Sequence, residues 1–487
     1  MTPSHRTATA AALVLLLASG ASPAADFSWV AGTWAANGLP NPLLAGDRVL
    51  ATGAAAKTFT GQIVSQGQIV WQTTSNAHLS GSGTVLRNEG LFDLQTDAGI
   101  VFVNNLGERF DNTGLLRKSG GTGTSAVTAI FDNRSGALVE AQSGTIAFRT
   151  NGSFEPGSRF GGAGRIVFES GNHAFREGFT STVAELRLAG ATLRSVGDGP
   201  VVIGGDLAWS GGIVQGSWAL PAGQTLSGLT GSFKQLRGSF ANAGEVIWAT
   251  AQNLELSGSG TVWRNAGLFD LQADAGIVFV NNLGERFDNT GLLRKSGGSG
   301  TSTITSRLSN TGILEVTSGT LALPSTFFNE GLMRGTTRYA ATLLDNRGTL
   351  APGLPDGDQR IAVLTIAGAL RQSADATLAV DVGPLGFSDL LLVTGVAQFA
   401  GLLEVTALAG YAAEVGDRFR VATFASRSGS FAEVLGLGFA DGTVLGAEFG
   451  AGWLDVVVLA TAPVPEPATL ALWLAGLLAL ARRRARG

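Results

Sequence analysis

Between residues 60 and 350 short apolar runs alternate with clusters of Gly, Asn and Ser, and apolar residues do not recur at the three-and-four spacing of an amphipathic helix. Gly99-Ile100-Val101-Phe102-Val103 and Gly312-Ile313-Leu314-Glu315-Val316 are typical. Such β-branched or aromatic runs, closed by turn formers, predict strands. One mark punctuates them: an Asn, a Gly two or three residues later, then in most cases an apolar pair. It starts at Asn88, Asn112, Asn133, Asn242, Asn265, Asn289, Asn310, Asn329 and Asn346. Successive marks lie 24 and 21 residues apart in the first run, then 23, 24, 21, 19 and 17 in the second. A unit of about twenty residues cannot bury its own apolar face, whereas stacked units share one core. The expected fold is therefore all-β, a right-handed parallel β-helix (solenoid) rising ~4.8 Å per coil, which makes residues 60–350 on the order of thirteen coils and about 60 Å. Asn and Gly suit a left-handed corner, and stacked Asn amides can form a ladder between coils. The drift from 24 to 17 runs against a fixed coil length, and tandem β-sandwiches, which space their strands similarly, are the alternative.

The repeats are themselves duplicated. Residues 80–125 recur at 257–302 with four differences, Leu86/Trp263, Glu89/Ala266, Thr96/Ala273 and Thr122/Ser299. The offset of 177 extends, more diverged, over about 65–149 and 242–323, where Gln68-Ile69-Val70-Trp71 aligns with Glu245-Val246-Ile247-Trp248. The chain then divides into a signal peptide (1–25), an N-terminal β cap (26–59), the solenoid (60–350), a terminal β region (351–460) and a tail (461–487).

Both ends carry export signals. His5 and Arg6 precede the apolar stretch Ala10–Ala18, and Ser22-Pro23-Ala24-Ala25 supplies small residues for cleavage after Ala24 or Ala25. At the other end Pro463, Pro465 and Pro467 exclude a helix or a sheet ladder, and the apolar run Ala468–Ala481 leads into Arg482, Arg483, Arg484 and Arg486. As a transmembrane helix, 468–481 rises only about 21 Å against a hydrocarbon core of ~30 Å. Snorkelling arginines on the cytoplasmic side would complete it. The Val464-Pro465-Glu466-Pro467 stretch, apolar run and arginine cluster resemble the PEP-CTERM sorting signal of Gram-negative bacteria. That resemblance covers about the last 25 residues. It implies an exosortase-type protease as partner, cutting near Pro-Glu-Pro, and a route through the inner membrane as an anchored intermediate to the cell surface or beyond. Many proteins with this signal accompany exopolysaccharide production, so exopolysaccharide or glycans are further expected partners.

The body resembles the repeat-rich passengers of autotransporters and filamentous haemagglutinin-like proteins. Asp389-Leu390-Leu391-Leu392-Val393-Thr394-Gly395, Gly401-Leu402-Leu403-Glu404-Val405 and Gly416-Asp417-Arg418-Phe419-Arg420-Val421 resemble the segment that ends such passengers and caps their helix. No set of ten-residue alternating strands follows residue 460, so the likeness stops short of a translocator barrel.

Composition narrows the chemistry. A net charge of -4, with Lys57, Lys118, Lys234 and Lys295 as the only lysines, gives nucleic acid no basic face. The absence of Cys excludes disulfides and thiolate metal sites, while 45% hydrophobic residues are enough for a core. β-Helices host glycosidases and lyases, and glycoside hydrolysis needs two placed carboxylates. Asp93 with Asp97, Asp270 with Asp274, and Asp111 or Asp288 are candidates; Arg117-Lys118 and Arg294-Lys295 have the residue types of a lyase base. All come in duplicate, which suits a repeated turn better than one active site. His78 and His173 lack a second ligand at metal spacing and read as surface or coil residues. Ser119-Gly120-Gly121-Thr122-Gly123 lacks the ending of a phosphate loop, and Asp356-Gly357-Asp358 lacks most of a calcium loop. Trp29, Trp34, Trp71, Trp209, Trp218, Trp248 and Trp263 either stack on sugars or fill the core, and strand aromatics favour the core. The expectation is a non-enzymatic rod without cofactor, metal or catalytic residue, acting in adhesion, biofilm or exopolysaccharide-associated envelope. A secreted polysaccharide lyase or glycosidase is the alternative.

Overall fold

The computed structural model describes residues 24–355 and 360–461. They form a parallel β-solenoid in which each coil visits three walls in turn. In the first coils Asp26–Trp29, Arg48–Ala51, Gln68–Trp71, Leu91–Leu94 and Leu115–Lys118 pair in parallel as the first wall. Lys57–Phe59, Ala77–Leu79, Ile100–Phe102 and Thr124–Val127 make the second. Gln62–Ser65, Val85–Asn88, Arg109–Asn112 and Ile130–Asn133 make the third. The second wall has nineteen strands, from Gly32–Thr33 to Glu433–Leu437. Fourteen of them lie between Ala77–Leu79 and Thr349–Pro352, close to the thirteen coils expected for residues 60–350. Parallel pairing on every wall excludes tandem sandwiches. Among the named strands, antiparallel pairing is confined to the terminal hairpin Val444–Phe449/Trp453–Ala460, which folds back onto Arg418–Thr423.

Alternation within the short strands aims every second side chain inward. A file of aromatic rings results: Trp29, Trp71, Phe92, Phe110, Phe131, Phe154, Phe175 and Trp218 follow one another with centroids 4.5 to 6.1 Å apart. All seven tryptophans proposed for sugar stacking are at most 4% exposed, so they belong to the core.

The nine marked asparagines are buried and do form ladders. Asn88 Nδ2 donates to Asn112 Oδ1 (2.8 Å), and Asn112 to Asn133 (2.7 Å). A second ladder runs Asn242, Asn265, Asn289, Asn310, Asn329, Asn346, with steps of 2.7 or 2.8 Å, and ends on Gln372 Oε1. The drift in spacing is absorbed outside the ladder. Asn346 follows Asn329 by only 17 residues because Arg338–Asn346 is one nine-residue strand covering two walls. The reason for the glycines differs from the expected one. None of the nine asparagines has a positive φ, and neither Gly291 nor Gly312 is left-handed. A Cβ on Gly312 would instead collide with the Gly291 carbonyl oxygen of the coil beneath. Close approach of coils, rather than corner conformation, demands glycine there.

The two near-identical copies are not in the same orientation. Val85–Asn88 lies on the third wall and Leu91–Leu94 on the first, whereas their counterparts differ. Val262–Asn265 continues the first wall, reached through the bond from Ser181 N to Gly204 O and then Val201–Val202 and Ser239–Asn242, and Leu268–Leu271 lies on the second. Every strand of the second copy sits one wall further on, so 177 residues correspond to eight coils and one wall. The three walls are interchangeable hosts for the same sequence.

Candidate functional site: outer walls, buried cations and the sorting tail

Outward positions on the walls carry most of the charge, and cations of one coil meet acids of the next. Arg117 bridges to Asp93 at 2.9 Å and Arg294 to Asp270 at 2.8 Å. Arg87 and Arg134 flank Asp111, and Arg109 reaches Asp132. Asp288 pairs with Arg286 at 3.0 Å. Burial pushes the Asp93 carboxyl up, but hydrogen bonds from Arg117, Ser119 and Gln95 prevail and hold it below the usual carboxylate range; Arg294, Ser296 and Gln272 do the same for Asp270. The candidate pairs do not converge on a shared space. Asp93 faces outward along the wall, whereas Asp97 turns to Lys118, whose hydrogen bond lowers the Asp97 carboxyl.

Lys118 and Arg117 are neighbours in a strand and point to opposite sides, so they do not form a joint basic site. Lys118 is fully buried: Nζ donates to Thr96 O (2.7 Å), Asp97 Oδ1 (2.8 Å), Gly120 O (2.9 Å) and Ser125 Oγ (3.1 Å). Lys295 repeats this with Asp274 (2.9 Å) and Gly297 O (2.8 Å). Lys57 donates to Gly53 O and Ala55 O, and Lys234 to Ser232 O and Gln252 Oε1. Burial lowers the amines of Lys57 and of Lys234, the latter to about 8. All four lysines are 0% exposed and form two pairs at the 177 offset, 57/234 and 118/295. Sequence reasoning placed Lys118 and Lys295 in a repeated turn and assigned Lys57 and Lys234 no role; the signal of their burial was their scarcity together with this spacing.

The histidine expectation needs one correction. His173 is 1% exposed, wedged among Phe148, Phe154 and Phe168, with Nε2 2.9 Å from Ser170 O. Burial lowers it to about 4, so it is a neutral core residue. His78 is half-buried in a second-wall strand between Thr58 and Val101. Among the described residues no three His, Asp or Glu side chains are grouped to hold a metal ion. Asp356 and Asp358 lie outside the described residues.

One unduplicated cluster escaped the sequence reading. Asp389 is 1% exposed, and its carboxylate accepts from Ala362 N and Asp381 N at 2.8 Å each. Burial raises it to about 7 against those two bonds. Asp381 pairs with Arg360 at 2.6 Å. The adjoining cavity, lined by Arg334, Pro352, Gly353, Asp381 and Asp389, holds about 150 Å³, below the ~300 Å³ at which ligand pockets begin.

At the chain start, Ala25 N donates to Asp47 Oδ1 (2.9 Å) and Ala25 O accepts from Arg48 N (2.8 Å). A cut after Ala24 keeps both bonds, and one after Ala25 removes them. The tail residues Val464–Pro467, the run 468–481 and Arg482–Arg486 lie outside the described residues, and among the described residues no helix is long and apolar enough to cross a membrane.

A long parallel solenoid with its charges paired between coils, followed by a proline stem and an apolar tail, defines the chain as a repeat rod carrying a sorting device. Residues 463–486 match the PEP-CTERM protein-sorting motif. The motif implies an exported protein, held at the membrane and processed there by an exosortase. No curated protein matches the chain at a significant level.

Proposed function

We propose that the rod is non-enzymatic cargo delivered to the cell surface or extracellular matrix, where it contributes to adhesion, biofilm or exopolysaccharide-associated structure. The observation that carries this reading is the use of the outer-wall carboxylates: those considered for catalysis each pair with a cation, most of them from an adjacent coil. Charge is thereby spent on binding coil to coil. The test is expression in the native host with fractionation, intact mass of the mature chain, and retention of that chain by exopolymer. A chain ending near Val464–Pro467 and retained by exopolymer supports the proposal; one that binds no glycan, cell or polymer preparation counts against an adhesive role. The unduplicated Asp381/Asp389 cluster favours a second reading, a carbohydrate-active enzyme. Release of reducing or unsaturated sugar by the wild type, abolished in Asp389→Asn, would replace the first reading with that one.

A further inference from the structure

Near the C-terminal end the corner joining the second wall to the third changes character. Between Phe59 and Arg338 it takes two to six residues, two between Val127 and Ile130 and six between Phe102 and Arg109. In the last coils it widens into loops at 383–389 and 408–417. The first loop presents Leu385, 93% exposed and left-handed at φ 60, with Phe387, 60% exposed, beside it. A leucine in this backbone region is strained, and such strain persists only where the surroundings enforce it. Here they do: Gly383 N bonds Phe387 O (2.8 Å), Ser388 Oγ bonds Arg420 O (3.0 Å), and the Asp389 carboxylate grips the backbone at Asp381 and Ala362. The second loop presents Val415, 63% exposed, next to Leu459, since Gly416 N bonds Val458 O at 2.9 Å. Val444, paired with Ala460, extends this ridge.

The chain itself indicates what faces the ridge. The last strand ends at Ala460, and the apolar run of the tail begins at Ala468. The seven residues between them, 461–467, span at most about 25 Å when extended. While the tail is anchored, the ridge is therefore held within that distance of the bilayer, where a tether replaces affinity by effective concentration. Its charges are largely neutralised locally: Arg360 pairs with Asp381, Arg418 with Glu448, and Asp417 accepts from Tyr411 and Glu414 N. An uncharged lipid surface suits it better than an anionic one.

We infer that the ridge of Leu385, Phe387, Val415 and Leu459 is a membrane-docking surface that seats the C-terminal end of the rod on a zwitterionic bilayer before the tail is cut. The inference rests on the anchored-intermediate reading. The chain has no cysteine, so single Cys variants take one label each. The full chain, as Leu385→Cys, Val103→Cys or Ala475→Cys with an environment-sensitive fluorophore, is reconstituted into phosphatidylcholine vesicles and probed with a water-soluble quencher. Protected labels at 475 and 385 with an accessible label at 103 are expected. Protection at 475 with full quenching at 385 overturns the docking surface and leaves the anchor intact. Quenching at 475 removes the anchor and the inference together. Protection at 103 as well means that the rod lies flat, and protection at 385 in detergent at the mass of a dimer means that a second copy covers the ridge; either overturns it.

Discussion

Removing one rung of the longer asparagine ladder tests whether amide stacking holds coils together. Asn289 is 1% exposed; its Oδ1 accepts from Asn265 Nδ2 at 2.8 Å, and its Nδ2 donates to Asn310 Oδ1 at 2.7 Å and Ile313 O at 3.0 Å. Asn289→Leu keeps the branched outline but strands one N–H of Asn265 and the Oδ1 of Asn310. At about 1–3 kcal/mol for each buried unsatisfied group, the cost is about 2–6 kcal/mol. Asn310→Leu strands an N–H of Asn289, while Asn329 Oδ1 keeps its bond from Gly331 N, so it should cost about 1–3 kcal/mol. The double variant strands only Asn265 N–H, since Asn329 Oδ1 keeps Gly331 N, so it should cost no more than either single change. Because a solenoid opens locally, the readout is amide exchange at 286–295 and 307–316 rather than one melting temperature. A strictly additive cycle, or single costs below about 1 kcal/mol, would refute the ladder as a source of cohesion.

Deleting one duplication period, residues 98–274, joins Asp97 to Ala275 and shifts all later strands by one wall; it should fold into a rod shorter by about 40 Å at ~4.8 Å per coil in small-angle scattering. Aggregation would show that the walls are not equivalent. Asp97→Asn leaves the fully buried Lys118 ammonium without its counter-charge and should lower amide protection across 94–125 by about 3–5 kcal/mol, whereas Lys118→Met leaves a half-exposed Asp97 carboxylate and strands Gly120 O, Thr96 O keeping its bond from Ser125 Oγ, and should cost about 1–3 kcal/mol. His173 titrates near 4 when folded against 6.5 in a free chain, so the unfolded state binds the extra proton between those values. Stability at that site should fall as pH drops from 6.5 to 4, by about 3 kcal/mol in all, and His173→Phe should remove this pH dependence from exchange at 166–175.

The asparagine marks were the most legible part of the chain because a ladder demands one residue type at one place in each coil. Variable spacing hid the fold only in part: insertions and merged strands lie between rungs, and the rungs stay in register. The one-wall rotation of the second copy was not readable, since identical residues give no sign of which wall hosts them. Nor was the break between the ladders, where the rung after Asn133 passes to Phe154 and then Phe175, stacked at 4.5 Å, so that aromatic packing replaces amide bonding. The Asp389 cluster was hidden because its partners are backbone amides, which no side-chain pattern records. The burial of the lysines was not legible because Lys is ordinarily a solvent residue; here each is enclosed by oxygen acceptors of a turn.

Those four enclosed ammonium groups also decide how the rod can be joined covalently to anything else. With every lysine at 0% exposure, its outer walls offer no nucleophilic side-chain amine. Lysine acylation, aldehyde cross-linking and lysine-directed transpeptidation all need a free amine, and along the rod the guanidinium, carboxylate, amide and hydroxyl groups do not supply one. A Lys-specific protease is equally blind to the folded chain. Covalent fixation through an amine is therefore left to the α-amino group of the chain, at the end of the sequence remote from the sorting tail.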